Sequence, residues 1–267
     1  MRILHLSDLH FDISDPNELL LEKWKQMVSF LKEQGPIDVL CITGDCIFYA
    51  NPKENMELFL RYISYLTTEL SIEHSRIFMC SGNHEWTPLA DLNLCTHMGE
   101  LPLTSDNQLN EFIKIFERIC ERKWNYGYEI FRSQYMDLVI IEAAFCISSD
   151  GKYSFVRNCQ AINNALSKID TSNNLIIAQH AEESFYCHKC VKAVSLPENA
   201  VILCGHKDFL HRSRYIARDS AAIIHSGIAG GFSDVDSTYG IYQVEKDGIR
   251  IDYFSFSEVD WHWLRTQ

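Results

Sequence analysis

Five short apolar runs in this sequence each end in residues able to hold a metal ion. Asp8 and His10 follow the first, in SDLH; Asp45 follows the second, in GD; Asn83 and His84 follow the third, in GNHE. His180 follows the run 175–179, and His206 and Asp208 follow the run 201–204 in GHKD. Taken singly, each has an ordinary explanation. An aspartate after a strand serves as a turn or helix cap, Asn-His in a glycine-bounded loop is turn chemistry, and a lone histidine is more often structural than a ligand. Five coincident clusters change that weighing. Carboxylates, imidazoles and one amide oxygen suit a borderline or hard divalent ion such as Mn²⁺, Fe²⁺ or Zn²⁺. That many groups exceed the tetrahedral set of a closed structural zinc and fit two metals sharing a bridging carboxylate.

These groups work together only if the elements before them lie side by side. Strands are predicted at Ile3–Ser7, Val39–Thr43, Ile77–Cys80, Leu138–Glu142, Leu175–Gln179, Val201–Cys204 and Ile223–His225. Helices are predicted at Asn17–Gln34, closed by Gly35-Pro36, at Glu54–Leu70 and at Asn107–Glu121. Two further strands, Gly240–Val244 and Ile249–Phe254, flank EKDG, a hairpin turn. Strands alternating with helices imply a partly parallel sheet covered by helices, and the final hairpin implies antiparallel strands joining it. In open α/β sheets, sites form in the crevice beyond the carboxyl ends of the strands. Residues 86–136 are the least regular and read as an insertion near the site, shaping specificity.

The bulk composition agrees. The chain has 267 residues, 46% of them hydrophobic, enough for one large α/β domain over 1–267. No run approaches the roughly 18 apolar residues of a membrane helix, and MRILHLSDLH is too short in its apolar part to be a signal peptide. Ten cysteines lack regular spacing and read as reduced, buried thiols, which with the missing leader implies a cytoplasmic protein. The net charge of −12 disfavours a broad basic nucleic-acid groove, although two divalent ions would reverse the local field.

SDLH at 7–10, GD at 44–45, GNHE at 82–85, QH at 179–180 and GH-x-D at 205–208 resemble, in order, the five blocks of the calcineurin-like metallophosphoesterases. The closing stretch SGIAGGFSDVDSTYGIYQVEKDGIRIDYF resembles that family's final strands, so the likeness covers essentially the whole chain. It implies a four-layer α/β/β/α sandwich with mixed sheets and a dinuclear metal site at the C-terminal ends of the strands. By position, Asp8 and His10 would bind the first metal, Asp45 both, and Asn83, His180 and His206 the second. His84 would face the substrate beside Asn83, stabilising the phosphoryl group or protonating the leaving oxygen.

The implied activity is metal-dependent hydrolysis of a phosphodiester or nucleotide by a metal-bridging hydroxide, with no nucleophilic side chain. The phosphate-ester substrate could be a nucleotide or nucleic acid. The alternatives are a relative that keeps the fold as a binding scaffold, and an N-terminal effector domain of a larger signalling or defence protein.

Two positions depart from the family pattern. Glu85 stands where aspartate is commoner, keeping the charge with one more methylene. Asp208 stands where a histidine normally returns to the first metal. A carboxylate binds at a similar distance, roughly 2.0–2.2 Å, but is shorter than imidazole and charged. It makes that site harder and favours Mn²⁺ or Mg²⁺ over zinc, so Mn²⁺ is the expected ion, with Fe, Zn or Mg as alternatives. His211 is a weaker candidate to replace it.

Other features rank lower. Cys187-His188-Lys189-Cys190 resembles half a zinc knuckle with no second pair. Glu182 and Glu183 read as solvated or supporting. The aromatics Trp124, Tyr126, Tyr128, Phe131 and Tyr135 read as packing in preference to base stacking. His225 reads as a packed core histidine.

Overall fold

The computed structural model describes residues 1–14, 17–48, 51–86, 89–90, 107–147, 153–170, 173–182, 185–194, 196–197, 200–206, 214–217, 222–225, 238–257 and 262–266. The chain runs β1 (Arg2–Leu6), α1 (Asn17–Glu33), β2 (Val39–Thr43), α2 (Pro52–Glu69), β3 (Ile77–Cys80), β4 (Leu89–Ala90) and α3 (Asn107–Cys120). It continues through β5 (Tyr128–Arg132), β6 (Met136–Ile141), β7 (Ala143–Ile147), β8 (Tyr153–Arg157), α4 (Cys159–Leu166), β9 (Asn174–Ala178) and α5 (His188–Ala193). It ends with β10 (Val201–Cys204), β11 (Arg214–Ala217), β12 (Ala222–His225), β13 (Thr238–Glu245), β14 (Gly248–Ser257) and β15 (His262–Thr266).

Two six-stranded mixed sheets form the centre. The first has the order β15-β14-β13-β1-β2-β3, with β1, β2 and β3 parallel and the last three strands antiparallel. The second has the order β11-β12-β10-β9-β6-β5, parallel in the middle and antiparallel at both edges. A three-stranded sheet, β4-β7-β8, lies beside them.

Alternation along the strands builds the layers. In β2, Val39 and Cys41 join Phe78 and Cys80 of β3 in a core shared with Met136, Leu138 and Ile140 of β6, Ile176 and Ala178 of β9, and Leu203 of β10. That core lies between the two sheets. Leu40 and Ile42 point the other way, into a core with Trp24, Leu31, Phe59, Ile63 and Phe116 from α1, α2 and α3. On the far side of the second sheet, Val139, Ile141, Ile177 and Ile202 pack with Ile162 of α4. The result is the expected helix/sheet/sheet/helix stack. The strands β2, β3 and β10, buried on both faces, are almost wholly apolar, so the polar groups gather at their ends.

The helices bury one stripe each. Leu20, Trp24, Met27, Val28 and Leu31 of α1 recur at helical spacing, and Gly35, with φ 97°, ends the turn after it. Of the predicted insertion, α3 packs on α2 and β3, and β5 forms the edge of the second sheet; 87–88 and 91–106 lie outside the described residues. Trp124 and Tyr126 are tied into the body of the fold through Glu142 and the Val156 carbonyl. The predicted hairpin is present, with Glu245 opposite Gly248. Among the described residues no helix is long and apolar enough to cross a membrane.

Candidate metal centre

Parallel pairing puts the ends of β1, β2 and β3 at one edge of the first sheet, with Leu6 opposite Ile42 and Thr43 opposite Cys80. In the second sheet, Ala178 lies opposite Leu203. The residues that follow these ends meet where the two sheets meet.

The chain must turn sharply there. Asp8, His10, Asp45 and His206 all have left-handed backbones, with φ of 51°, 45°, 50° and 67°. This conformation is tolerated best by Asp, Asn and His among residues with side chains, and costs on the order of 1–3 kcal/mol at each position. Surrounding bonds hold it. Asp8 N–H donates to the Gly44 carbonyl at 3.1 Å, His10 N–H to the Asp45 carbonyl at 2.9 Å, and His206 N–H to both oxygens of Asp8 at 3.0 and 3.1 Å. Two glycines leave room. A Cβ on Gly82 would lie 2.2 Å from Asp45 Oδ1, and one on Gly205 1.9 Å from Asp8 Oδ2. The glycines of GNHE and GH-x-D therefore serve the carboxylates they approach.

Asp45 lies at the middle. Its Oδ2 is 3.4 Å from His180 Nε2, 3.9 Å from His84 Nε2 and 4.0 Å from His10 Nε2. Two groups of potential ligands share it: His10, Asp45 and His84, and Asp45, His180 and His206, with the ligand atoms of each group within 4.8 Å of one another. Asp8 Oδ1 is 3.9 Å from His10 Nε2.

In the second group, His180 Nδ1 lies 2.7 Å from the Thr43 carbonyl and so carries the proton it donates there. Its Nε2 faces Asn83 Oδ1 at 3.1 Å and His206 Nδ1 at 3.2 Å, and the latter two are 2.8 Å apart. Two imidazoles, an amide and a carboxylate thus converge on one point, a ligand set that suits a divalent cation.

Charge is confined here. Burial alone would push both buried aspartates up. It brings Asp8 to about 6, whereas the His180 imidazole against Asp45 more than offsets burial and holds that carboxyl below its ordinary range. His180 shows the reverse: burial would lower it, but Asp45 raises it to about 10. Burial takes His84 down to about 4 and His206 to about 3.

The model of the calcineurin-like phosphoesterase family matches residues 1–222. The chain belongs to that family. The family is one of phosphoesterases, hydrolases of phosphoric ester bonds. No curated protein matches the sequence. A dimetal phosphatase from Danio rerio superposes with TM-score 0.57 at 10% identity, covering 99% of this chain and 98% of that one. The protein TT1561 of Thermus thermophilus does so with TM-score 0.52 at 12% identity, covering 94% and 97%. The purple acid phosphatase PPD1 of yellow lupin gives TM-score 0.50 at 13% identity; 99% of this chain covers 52% of that one. At such identities the likeness is one of fold, the metallophosphoesterase fold with mixed sheets.

Asp8, His10, Asp45, Asn83, His84, His180 and His206 of this phosphoesterase thus lie together. Distance alone leaves His84 eligible as a ligand, and its backbone N–H donates to Asp45 Oδ1 at 2.9 Å. Asp208, His211 and Glu183 lie outside the described residues, as does the His225 side chain, although its strand pairs with β10. Glu182 is buried, not solvated.

Glu85 has a supporting place. Its carboxylate accepts the backbone N–H groups of Asp45, Cys46, Ile47 and Gly82 at 2.9, 2.8, 3.3 and 2.7 Å, tying the second and third strand ends together. Burial and the Asp45 charge push it up to about 8 against the pull of those donors.

Three contributors escaped the sequence reading. Glu142 accepts from Ser81 N–H, Ser81 Oγ and Trp124 Nε1, fixing the strand before Asn83. Ser7 Oγ donates to Asp8 Oδ2 at 2.5 Å. Phe155 sets its ring edge-on to His206 at 5.0 Å and to His180 at 5.6 Å. Only Glu142 carried a signal, as a further carboxylate at the end of an apolar run.

Proposed function

We propose that this chain is a two-metal phosphodiesterase or nucleotide hydrolase. The observation that carries the reading is that one carboxylate, Asp45, belongs to both groups of potential ligands. Asp8 and His10 would hold the first ion, with Asp208 as the remaining candidate. Asn83, His180 and His206 would hold the second, with Asp45 within reach of both groups. Mn²⁺ is the ion this donor set favours, because carboxylate and amide oxygens outnumber what zinc prefers. Two divalent ions there supply Lewis acidity: they neutralise phosphoryl oxygens and acidify water, so no nucleophilic side chain is needed.

The chain's own groups orient and bind. The Thr43 carbonyl fixes the tautomer of His180. Glu85 and the backbone around it hold Asp45 and His84 in place. An imidazole held below neutrality by burial, as His84 is, serves first as a hydrogen-bonding group and as a proton source only while charge develops on the leaving oxygen, a role worth about 10²–10⁴ in rate. We take 1–267 as a single phosphoesterase domain acting in the cytoplasm.

Hydrolysis of bis(p-nitrophenyl) phosphate with added Mn²⁺ tests this, comparing wild type with Asp45→Ala. The expected result is metal-dependent turnover that vanishes in the variant. Turnover that survives Asp45→Ala, or its absence with Mn²⁺, Mg²⁺, Zn²⁺ and Ni²⁺ alike, would overturn the reading.

A further inference from the structure

Three thiols meet apart from the metal centre. Cys187 and Cys190 bracket the entry to α5, with their sulfurs 3.1 Å apart. Cys159 opens α4, and its thiol donates to the Arg157 carbonyl at 3.4 Å and faces the Cys190 carbonyl at 4.0 Å. Cys190 is buried, whereas Cys159 and Cys187 are each partly exposed. One enclosed sulfur is thus flanked by two that a small molecule can reach.

The other described cysteines, Cys41, Cys46, Cys80, Cys120, Cys146 and Cys204, are buried and in no disulfide. Burial pushes Cys41 and Cys120 up to about 12, which leaves them inert. Cys159 is the exception. The Cys190 thiol, helped by the Arg157 guanidinium, brings it down to about 7 in spite of partial burial, and the same neighbour takes Cys190 up to about 11, so that Cys190 holds its proton until it attacks.

We propose that Cys187 and Cys190 form a thiol–disulfide exchange site for a small disulfide such as glutathione disulfide, with Cys159 taking up the proton of Cys190. The site stands on its own sulfurs and does not depend on the phosphoesterase reading. Its geometry suits exchange better than metal binding. Two thiolates on one zinc, each roughly 2.3 Å from it in tetrahedral geometry, lie close to 3.8 Å apart, wider than the observed contact. Among the described residues, the groups of three or more potential ligands both lie at the strand ends, and the three thiols do not form one. From 3.1 Å, a modest torsional change brings the sulfurs to a bond of about 2.05 Å.

The chemistry balances without another oxidant. The Cys187 thiolate attacks one sulfur of the small disulfide. The protein–glutathione bond forms, the small disulfide breaks, and one glutathione leaves as its thiolate, taking from water the proton that Cys187 gave up. As the Cys190 sulfur attacks that of Cys187, its proton passes to the Cys159 thiolate. The mixed disulfide breaks, and the second glutathione leaves with the proton from Cys159. Two protein thiols are oxidised and one disulfide is reduced to two thiols.

The test is to equilibrate the full chain in glutathione buffers of rising oxidised fraction, alkylate the free thiols and map them by mass spectrometry. Two of the ten thiols should become protected as one pair, Cys187 with Cys190, and return with dithiothreitol. Cys159→Ala should keep the pair but slow its closure from the mixed disulfide about tenfold or more. A stable glutathione adduct on Cys187 with Cys190 still alkylated would overturn the proposal. So would a first pair formed elsewhere, an unchanged closure rate in Cys159→Ala, or equimolar zinc released by Cys187→Ala. The wild-type mapping needs no variant to fold.

Discussion

At the scale of single residues, the carboxylates divide by what they touch. Asp45 faces imidazoles, whereas Glu85 faces only backbone N–H groups. Glu85→Ala would leave four buried donors without their acceptor, and each unsatisfied group costs about 1–3 kcal/mol. Chemical denaturation should show a loss of roughly 3 kcal/mol or more, together with weakened Mn²⁺ binding. A near-neutral variant would mean that Glu85 supports nothing. Glu142 gives a pH prediction. Burial raises its carboxyl from 4.5 to about 7, so the folded state favours its protonated form. Its contribution is fully present below about pH 4.5 and is lost as pH rises through 7. Relative to Glu142→Gln, the wild type should lose on the order of 3 kcal/mol across that window. Urea titrations at both ends measure this, and a constant difference between the two proteins would rule it out.

At the scale of elements, the site is a junction. Gly205 follows a strand of the second sheet and lies against Asp8 and Ser7, which follow a strand of the first. Gly205→Ala must therefore part the sheets or displace Asp8. We expect a stability loss of about 1–3 kcal/mol and loss of Mn²⁺ binding measured by calorimetry, while Gly248→Ala, whose Cβ would meet nothing within 4 Å, should leave metal binding intact. The same junction explains what the sequence made legible. β2, β3 and β10 fell where predicted because strands buried on both faces are unbroken apolar runs that stop at polar residues. β8, YSFVR, was missed because it mixes exposed, apolar and buried basic positions, and α4 and α5 are too short to display a helical period. The ligand types could be read from the strand ends. The bond from Ser81 to Glu142 could not, since it joins residues 61 apart with no spacing rule between them.

At the scale of the whole molecule, two sheets and their helices bring residues from 8 to 206 to one place, so ions bound there should hold the fold together. Ligand at about a hundredfold excess over its dissociation constant adds roughly 2.7 kcal/mol to stability. Thermal melts should rise with Mn²⁺ and fall with chelator in wild type, and respond to neither in Asp45→Ala. A melting temperature indifferent to both in wild type would mean that the junction holds no ion.

The neighbours of β1 carry one more consequence. It pairs with β2 on one side and with β13 on the other, so that Leu4 lies between Leu40 and, from late in the chain, Ile241. During synthesis, Asp8, Asp45 and Asn83 all leave the ribosome long before the strand that closes their sheet. Until then β1 offers an open edge, the kind of surface that attracts foreign strands. A ribosome-tethered chain ending near residue 222 would already hold every candidate ligand yet lack the seam that keeps them in register, and nascent-chain chaperones would find their target in that interval.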